Sequence, residues 1–359
     1  MASQEKPREL LSSGAGLAAS VATETHGELG EHEDVKARGY WEQVWRRFSR
    51  DKVAIGGGFF IIFLVVAAFG GAPLAAHFLG HGPNDIFTNS ALTKELLPVG
   101  PWTHIVDAPG GYCPTGTHCS KTLFILGADS QLGRDEFLRL LYGAQVSLEV
   151  AIGATMIGMI IGVLMGSIAG YYGAWVDTLV SRLTEIVMAF PVLLFIVALA
   201  STIGDRLNKI TLGGLFGRGV LTLVFVIALF GWYYPARIIR AQVLSLREKE
   251  FIEAARMVGA SDWRIIRSHL LPHLVAPIIV YSTLIVAQNI LLEAGLSFLG
   301  IGIPLPTPSW GNLLEQAPDY YLTQPWLMVW PGLAVLMTTL AFNLLGDGLR
   351  DAFDPRSSH

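Results

Sequence analysis

The sequence predicts an all-α, polytopic membrane protein with six transmembrane helices. Of its 359 residues, 52% are apolar and only 15% are charged, whereas soluble domains average about 25% charged residues. The mean hydropathy is +0.48. Apolar runs that approach the roughly 20 residues needed to cross about 30 Å of hydrocarbon recur six times along the chain. Most of the mass is therefore expected to lie in lipid.

The apolar runs divide the chain into tails, loops and a core. Residues 1–38 are polar and rich in Gly and Ser, which predicts a disordered cytosolic tail. Residues 39–52 are expected to form an interfacial helix, 53–76 the first transmembrane helix, 77–140 an external loop, 141–350 a five-helix core and 351–359 a cytosolic tail. The predicted spans are Val53 to Ala76, Val146 to Gly170, Trp175 to Ile203, Val220 to Tyr234, Leu271 to Leu292 and Trp326 to Leu345.

The distribution of positive charge predicts the orientation. Trp41, Val44, Trp45 and Phe48 recur at helical spacing beside a group of Arg and Lys residues, as expected of a helix that lies on the cytosolic face. Six crossings return the C-terminus to the same side, and the segment from Arg237 to Arg267 is also rich in Lys and Arg. Both termini are therefore expected in the cytosol, although a basic loop after the third span opposes this orientation.

Several functional classes find no support in the sequence. The net charge of -4 comes without a basic stripe, which disfavours nucleic-acid binding. The chain has no Gly-Lys dipeptide and so no Walker A loop, and it has no H-E-x-x-H or G-x-S-x-G motif. We therefore expect no catalytic residue, no metal site and no cofactor bound by this chain. Any ATP chemistry must come from another polypeptide.

The two cysteines lie close together in the predicted external loop. Cys113 and Cys119 could form a local disulfide if that loop faces an oxidising compartment. Two thiols with only His118 nearby make a poor metal site, so the metal alternative is weaker than the disulfide.

The second predicted span carries glycines at strict four-residue spacing. This spacing places them on one helical face, where a neighbouring helix can approach closely. The face is expected to be a helix-packing seam that consists of Gly158, Gly162, Gly166 and Gly170.

Ionisable and amide side chains at membrane depth are expensive and therefore mark candidate functional positions. Glu185 lies within the third predicted span, and Asp177 and Arg182 lie nearer its cytosolic boundary, where they could pair with each other. Glu185 and Asn289 are candidates for lining the translocation path. The alternative for Glu185 is a partnered packing residue, and the alternative for Asn289 is a hydrogen bond between helices.

A short charged segment separates the fourth and fifth predicted spans. Residues 249–258 favour a helix in which Phe251, Ala255 and Val258 share one face. Gly259 is expected to end this helix in a left-handed conformation, and Ser261 to cap a second helix that runs towards the membrane. Two interpretations of this segment stay open. It is either a helix that docks into a groove on a partner protein and transmits force, or an ordinary amphipathic helix on the membrane surface.

The spacing within this segment resembles the ATPase-docking loop of ABC importer permeases. The pattern E-A-A, three residues, Gly, and later Leu-Pro is matched by Glu253, Ala254, Ala255, Gly259, Leu271 and Pro272. Three further stretches resemble the C-type permease of the dipeptide/oligopeptide importers. They run from Leu126 to Leu148, from Leu296 to Asn312 and from Asn343 to Arg356.

The resemblance implies a permease of the type I ABC importer kind that cannot work alone. Its expected partners are a second, B-type permease subunit, two ABC ATPase subunits that hold ATP and Mg, and an external substrate-binding protein. The expected location is the cytoplasmic (inner) membrane. The expected activity is uptake of di- or oligopeptides by alternating access, coupled to the ATPase subunits through residues 237–270 as the docking loop.

Three alternatives stay open at this stage. The same machinery could carry nickel chelates or glutathione. A self-contained secondary transporter would need its own coupling-ion site and often shows paired halves, and no convincing internal repeat is visible. A membrane-embedded enzyme would need convergent catalytic groups, which are not apparent.

Overall fold

The computed structural model describes residues 39–88, 90–107, 120–207 and 219–354. Within these residues four helices are long and apolar enough to cross a membrane, and two bent helix pairs bring the number to six if each pair forms one span. The prediction of a helical, polytopic membrane fold is confirmed. The predicted disordered tail and the pair Cys113 and Cys119 lie outside the described residues.

The first part of the chain forms two helical stretches. Helix α1 spans Tyr40–Phe48 and exposes both Trp41 and Trp45. The first membrane span consists of α2 (Lys52–Val66), a π-helical turn and α3 (Ala72–Leu79). Asp51 caps α2 because its carboxylate accepts the backbone N–H groups of Val53 and Ala54 at 2.9 and 3.0 Å.

Two strands interrupt the otherwise helical architecture in the segment predicted to be external. Strand β1 (Thr103–Asp107) pairs antiparallel with β2 (Ser120–Phe124), with Thr103 opposite Phe124. The helix α4 (Glu136–Tyr172) follows. It begins at Glu136, ten residues before the predicted start of the second span at Val146. The first turns of α4 are polar but buried, which hydropathy alone does not register.

The third and fourth predicted spans are bent pairs of helices. Helices α5 (Ala174–Ala189) and α6 (Val192–Leu207) meet at an angle of 79°. The break falls where Pro191 lacks an N–H and forces Phe190 into an extended conformation, with φ -88° and ψ 136°. Helices α7 (Val220–Gly231) and α8 (Tyr233–Leu246) meet at 42°, so the short fourth apolar run is the first half of a bent helix pair.

The remaining helices complete the bundle. Helix α9 spans Glu250–Met257, and α10 (Asp262–Arg264) leads through a π-helical stretch, Ile265–Leu270, into α11 (Leu271–Phe298). The short helix α12 spans Trp310–Gln316 and the last helix, α13, spans Trp326–Phe353. The fifth and sixth spans are therefore both longer than the predicted ranges.

Helix α4 is the central element of the bundle. It packs against α7, α8 and α11, while α11 also packs against α13 and α13 against α2. The starts of α2 and α9 lie at the same end as the ends of α4, α8 and α13. At this end the Arg47 guanidinium donates to the Asp354 carbonyl at 2.7 Å. The buried core is divided among clusters along α4.

The glycine face of α4 is a close contact with α8. A Cβ atom placed on Gly162 would lie 2.6 Å from the Pro235 ring, and one on Gly166 would lie 2.5 Å from the Ala236 carbonyl oxygen. Gly170 faces Val243 at 2.8 Å. Gly158 has more room, since its nearest neighbours lie at 3.9 Å. The seam therefore brings the two backbones together over three of its four positions.

At the opposite end of the bundle, buried charges join loops that are distant in sequence. Asp129 accepts from Arg134 Nε at 2.9 Å and lies 2.8 Å from Arg139 Nε. Arg139 also donates to the Asn84 side chain at 3.0 Å and reaches the Pro306 carbonyl at 3.4 Å. We call His81, Asp129, Arg134, Asp135 and Arg139 the charged clasp, because its two carboxylates each contact a basic side chain.

His81 is the histidine of the charged clasp and lies outside the membrane spans. Its Nδ1 lies 3.1 Å from the Leu79 carbonyl oxygen and its Nε2 lies 3.0 Å from the Asp135 carboxylate. Both partners are acceptors, so both ring nitrogens donate only when the imidazole is protonated. Burial lowers the pKa of His81, but the hydrogen bond and negative charge of Asp135 outweigh burial and raise the pKa above its ordinary value.

We expect Gly166→Ala to destabilise the protein. The new methyl group would press on backbone atoms of α8, which cannot rotate aside as a side chain can, at a cost of about 1–3 kcal/mol. The thermal midpoint of the purified protein in detergent measures the effect. Gly158→Ala is the control and should leave the midpoint nearly unchanged, and equal midpoints for the two variants would contradict the seam.

The stability of the protein should depend on pH through His81. Because its folded pKa is raised, its stabilising contribution is fully present below the unfolded value of about 6.5 and is lost as pH rises through the folded pKa. His81→Gln should therefore remove part of the fall in thermal midpoint between about pH 6 and pH 8. His77→Gln, which changes an exposed histidine of α3, should retain the wild-type profile.

Candidate functional site

The chain between α8 and α11, residues 247–270, forms an anchored projection that we call the connecting segment. Helix α9 is held by Ile252, which is fully buried in a cluster with Val243, Ile265 and Leu270. The predicted face of Phe251, Ala255 and Val258 is not the buried one. Ile252 makes the anchoring contact instead, because it is the residue of α9 that packs into the cluster of Val243 and Leu270.

A left-handed glycine ends α9. Gly259 has φ +84°, its N–H donates to the Arg256 carbonyl at 2.9 Å, and the Ala260 N–H donates to the Ala255 carbonyl at 3.0 Å. These two bonds form a Schellman motif, in which a residue with a Cβ would be strained at the left-handed position. The predicted left-handed end of this helix at Gly259 is confirmed.

The return to the membrane differs from the prediction in one detail. Ser261 occupies the N-cap position of α10, but its side chain accepts no backbone hydrogen bond. The Tyr171 hydroxyl at the end of α4 donates to the Asp262 carboxylate at 2.7 Å, and Arg256 lies over the Tyr171 ring at 5.2 Å from its centre. The connecting segment is therefore attached to α4 as well as to α8 and α11.

The tip of the connecting segment is exposed. Met257 and Val258 are 83% and 89% exposed, and Glu253 and Ala254 are also exposed, whereas Ala255 is half-buried. Leu271 and Pro272 lie in the first turn of α11, which directly continues the π-helical stretch Ile265–Leu270. None of the six predicted docking residues is buried: Glu253, Ala254, Gly259 and Pro272 are exposed, and Ala255 and Leu271 are half-buried. The buried base of the connecting segment consists of other residues, namely Ile252, Ile265, Ile266 and Leu270.

A polar cavity of about 570 Å³ lies between α5 and α8. Glu185 is on its wall and accepts from Arg182 at 2.7 Å, and both side chains are exposed. Of the options open for Asp177, a pair with Arg182 is not the one found, because Arg240 reaches Asp177 from α8 with both Nε and Nη2. The cavity lining consists of Val180, Ser181, Thr184, Glu185, Met188, Ala189, Ala236, Arg237 and Arg240.

Asn289 lies elsewhere, in the contact between α4 and α11. It is buried, and its side-chain amide donates to the Thr155 hydroxyl at 2.9 Å. This bond is the interhelical alternative weighed for Asn289 from the sequence. The structure therefore does not bring Glu185 and Asn289 together.

A buried carboxylate that the sequence interpretation missed joins α4, α11 and α12. Glu293 is fully buried and accepts from the Ser147 hydroxyl at 2.7 Å and the Ser297 hydroxyl at 2.8 Å. Ser147 in turn accepts the Trp310 N–H at 3.3 Å, and Ser297 accepts the Ile303 N–H at 3.2 Å. The signal was available, because an acidic residue directly follows the predicted end of the fifth span at Leu292.

Two family models match this chain, one in its N-terminal region and one in its C-terminal half. Residues 162–359 match the family described as binding-protein-dependent transport system inner membrane component. Residues 39–98 match the N-terminal transmembrane domain of oligopeptide transport permease C.

Individual relatives agree with these matches. A glutathione transport system permease protein GsiD of Pectobacterium atrosepticum is 34% identical over 323 residues, which cover 90% of this chain and 93% of the relative. A putative peptide transport system permease protein of Brucella suis is 42% identical over 234 residues, which cover 65% of this chain and 73% of the relative.

Among solved structures, an inward-facing form of the MetNI methionine ABC transporter aligns with a TM-score of 0.48 and 18% identity, over 61% of this chain and 97% of that one. The assignment depends on the sequence matches. The chain belongs to the inner membrane components of binding-protein-dependent transport systems, as an ABC importer permease of the peptide family.

Proposed function

We propose that this permease moves di- or oligopeptides across the cytoplasmic membrane by alternating access coupled to separate ATPase subunits. The observation that carries the proposal is the connecting segment, which combines an exposed apolar tip with a base attached to three membrane helices. A projection with this construction suits the transfer of force from a partner. The chain itself supplies no nucleotide-binding loop.

The proposed assembly contains this chain, a B-type permease, two ABC ATPases and an external substrate-binding protein. ATP and Mg belong to the ATPase subunits, and this chain binds no cofactor. Both termini face the cytosol in the proposed orientation. The Lys and Arg residues of the connecting segment and the preceding half of α8 support this orientation through the positive-inside rule.

The contacts suggest how a displacement would spread. Movement of α9 would act on α8 and α11 through Ile252, and on the end of α4 through the bond between Tyr171 and Asp262. The close glycine contact would keep α8 and α4 together as one body. Nucleotide binding can drive such a change only to the extent that its affinity differs between the outward and inward states.

Glu185 is the proposed path residue. It lines the polar cavity between α5 and α8, and an ionisable side chain at membrane depth generally faces such a cavity. Asn289 is assigned to helix packing, because its amide is engaged with Thr155. The seam Gly158, Gly162, Gly166 and Gly170 is assigned to packing as well.

Glutathione is the second candidate substrate. It is itself a peptide, and the relative from Pectobacterium atrosepticum is named a glutathione transport system permease. Nickel chelates would use the same machinery, and a self-contained secondary transporter would need no companions. The choice among these candidates depends on what the cognate binding protein delivers.

The function is tested by reconstituting this permease with its three kinds of partner in vesicles that contain ATP. We expect uptake of a peptide delivered by the binding protein, and no uptake when the ATPases or the binding protein are omitted. Vesicles given glutathione or a nickel chelate in place of the peptide separate the alternatives. Uptake by the isolated chain on an ion gradient would contradict the proposal.

The docking role of the connecting segment predicts a specific uncoupling. Val258→Asp places a charge on the most exposed apolar side chain of the tip without touching the buried base, so the chain should remain in the membrane while ATPase binding and uptake fall at least tenfold. A loss of about 1.4 kcal/mol of binding energy suffices for this. Leu322→Asp, at an 80% exposed leucine far along the chain, is the matched control and should retain co-purification of the ATPase.

Two further changes test the shape and charge of the same segment. Gly259→Pro is incompatible with φ +84°, and Glu253→Lys reverses an exposed charge on α9. Both should separate ATP hydrolysis from uptake while leaving membrane insertion intact. Normal uptake in both variants would count against the docking role.

A further inference from the structure

The polar cavity between α5 and α8 contains an unbalanced cation. Asp177 is held by Arg240, and Glu185 is held by Arg182. Among the described residues, Arg237 has no carboxylate within ion-pair distance, and its guanidinium lies 3.2 Å from the Met188 sulfur. The cavity and its immediate neighbours therefore carry one more positive than negative charge.

The height of Arg237 within the bundle follows from the glycine seam. Gly166 of α4 faces the backbone of Ala236 and Arg240, so Arg237 lies in the turn of α8 beside Gly166. Tyr172, the last residue of α4, is six residues further on, which corresponds to about 9 Å along the helix axis. Arg237 therefore lies away from the end of α4, towards the interior of the bundle. At that depth a cation is costly unless an anion or a water-filled cavity accompanies it.

The side chains around Arg237 can complete a site for an anion. Ser181 lines the same cavity, and its hydroxyl has no hydrogen-bond partner within the described part of the chain. Thr184 adjoins it and donates to the Ser181 carbonyl at 2.7 Å. A guanidinium presents paired N–H donors that match a carboxylate, and the Ser181 hydroxyl can donate a further bond.

We propose that Arg237 binds the free α-carboxylate of a peptide in transit, at a waypoint in the inner half of the translocation path. The inference rests on the proposed peptide transport. The cavity volume of about 570 Å³ falls within the range of roughly 300–1,000 Å³ that accommodates small ligands. Glu185 lines the same cavity but is paired with Arg182, so the unbalanced charge that the cavity offers to a peptide is that of Arg237.

The physical setting makes this a weak site, as transport requires. Arg237 is exposed in the cavity, so water screens its charge and reduces the strength of an ion pair. A cargo held too tightly would not leave. The waypoint therefore contributes to the rate of passage rather than to the selection of cargo, which belongs to the binding protein.

The test compares the transport rate of a peptide that has a free C-terminal carboxylate with the rate of the same peptide amidated at its C-terminus. Both rates are measured in the fully assembled transporter. Trialanine and trialanine amide are each supplied with enough binding protein and peptide to saturate the transporter, so that differences in capture do not contribute. The wild-type complex should carry trialanine faster. Arg237→Gln should slow trialanine about tenfold, the effect of one charge-assisted hydrogen bond of roughly 1.4 kcal/mol, and leave trialanine amide almost unchanged.

Two variants accompany the substitution. Arg237→Lys retains the charge and should restore part of the trialanine rate. Arg350→Gln changes an exposed arginine in the last turn of α13 that does not line the cavity, and it should leave the ratio of the two rates at the wild-type value. Co-purification of all subunits is measured for each variant, so a failure of assembly is seen directly.

The outcomes separate the competing occupants of the site. An unchanged ratio in Arg237→Gln overturns the inference, and if the absolute rates then change with the anionic lipid content, Arg237 serves a phosphate headgroup. Equal losses for both peptides together with release of the B-type permease also overturn it, in favour of a subunit contact. If the wild-type complex carries neither peptide, the proposed function itself fails.

Discussion

Backbone contact between α4 and α8 is the constraint on which the rest of this structure depends. In lipid there is little hydrophobic driving force between helices, so close packing of small residues has to supply the attraction. Three glycines of α4 lie against α8 so closely that an added methyl group would overlap α8 atoms. That contact fixes the height of Arg237 and Arg240, and it joins the base of the connecting segment to the centre of the bundle. The polar cavity and the connecting segment thus both adjoin the closely packed helices α4 and α8.

The membrane spans were predictable to the extent that apolar composition marks them. The positions of the four long helices and of the two bent helix pairs could be located, because hydrocarbon excludes polar residues over a fixed length. Their ends could not, because α4 begins with Glu136 and Arg139, which are buried by protein rather than by lipid. The break falls at Pro191, which removes a backbone donor, but its angle of 79° depends on packing that a single sequence does not express.

The candidate site was predictable where the backbone decides the chemistry. A left-handed conformation restricts the residue to glycine, so Gly259 could be identified from the chain alone. Partners across helices were a different matter. Asp177 and Arg182 are close in sequence and share a helix, but the bidentate geometry available from Arg240 of another helix gave Asp177 a better partner. Glu293 was overlooked because it lies just past the end of an apolar run. In the structure it is fully buried and accepts hydrogen bonds from Ser147 and Ser297.

The π-helical stretch Ile265–Leu270 has a consequence for how the fifth span is interpreted. A π turn adds about one residue to each helical turn, so the angular phase of all later side chains slips by roughly 100° relative to an uninterrupted α-helix. A helical wheel drawn straight through residues 262–298 would therefore assign the wrong faces to α11. Periodic patterns of tolerance to substitution, taken along this span, should break their rhythm at Leu270 and resume with a new starting angle.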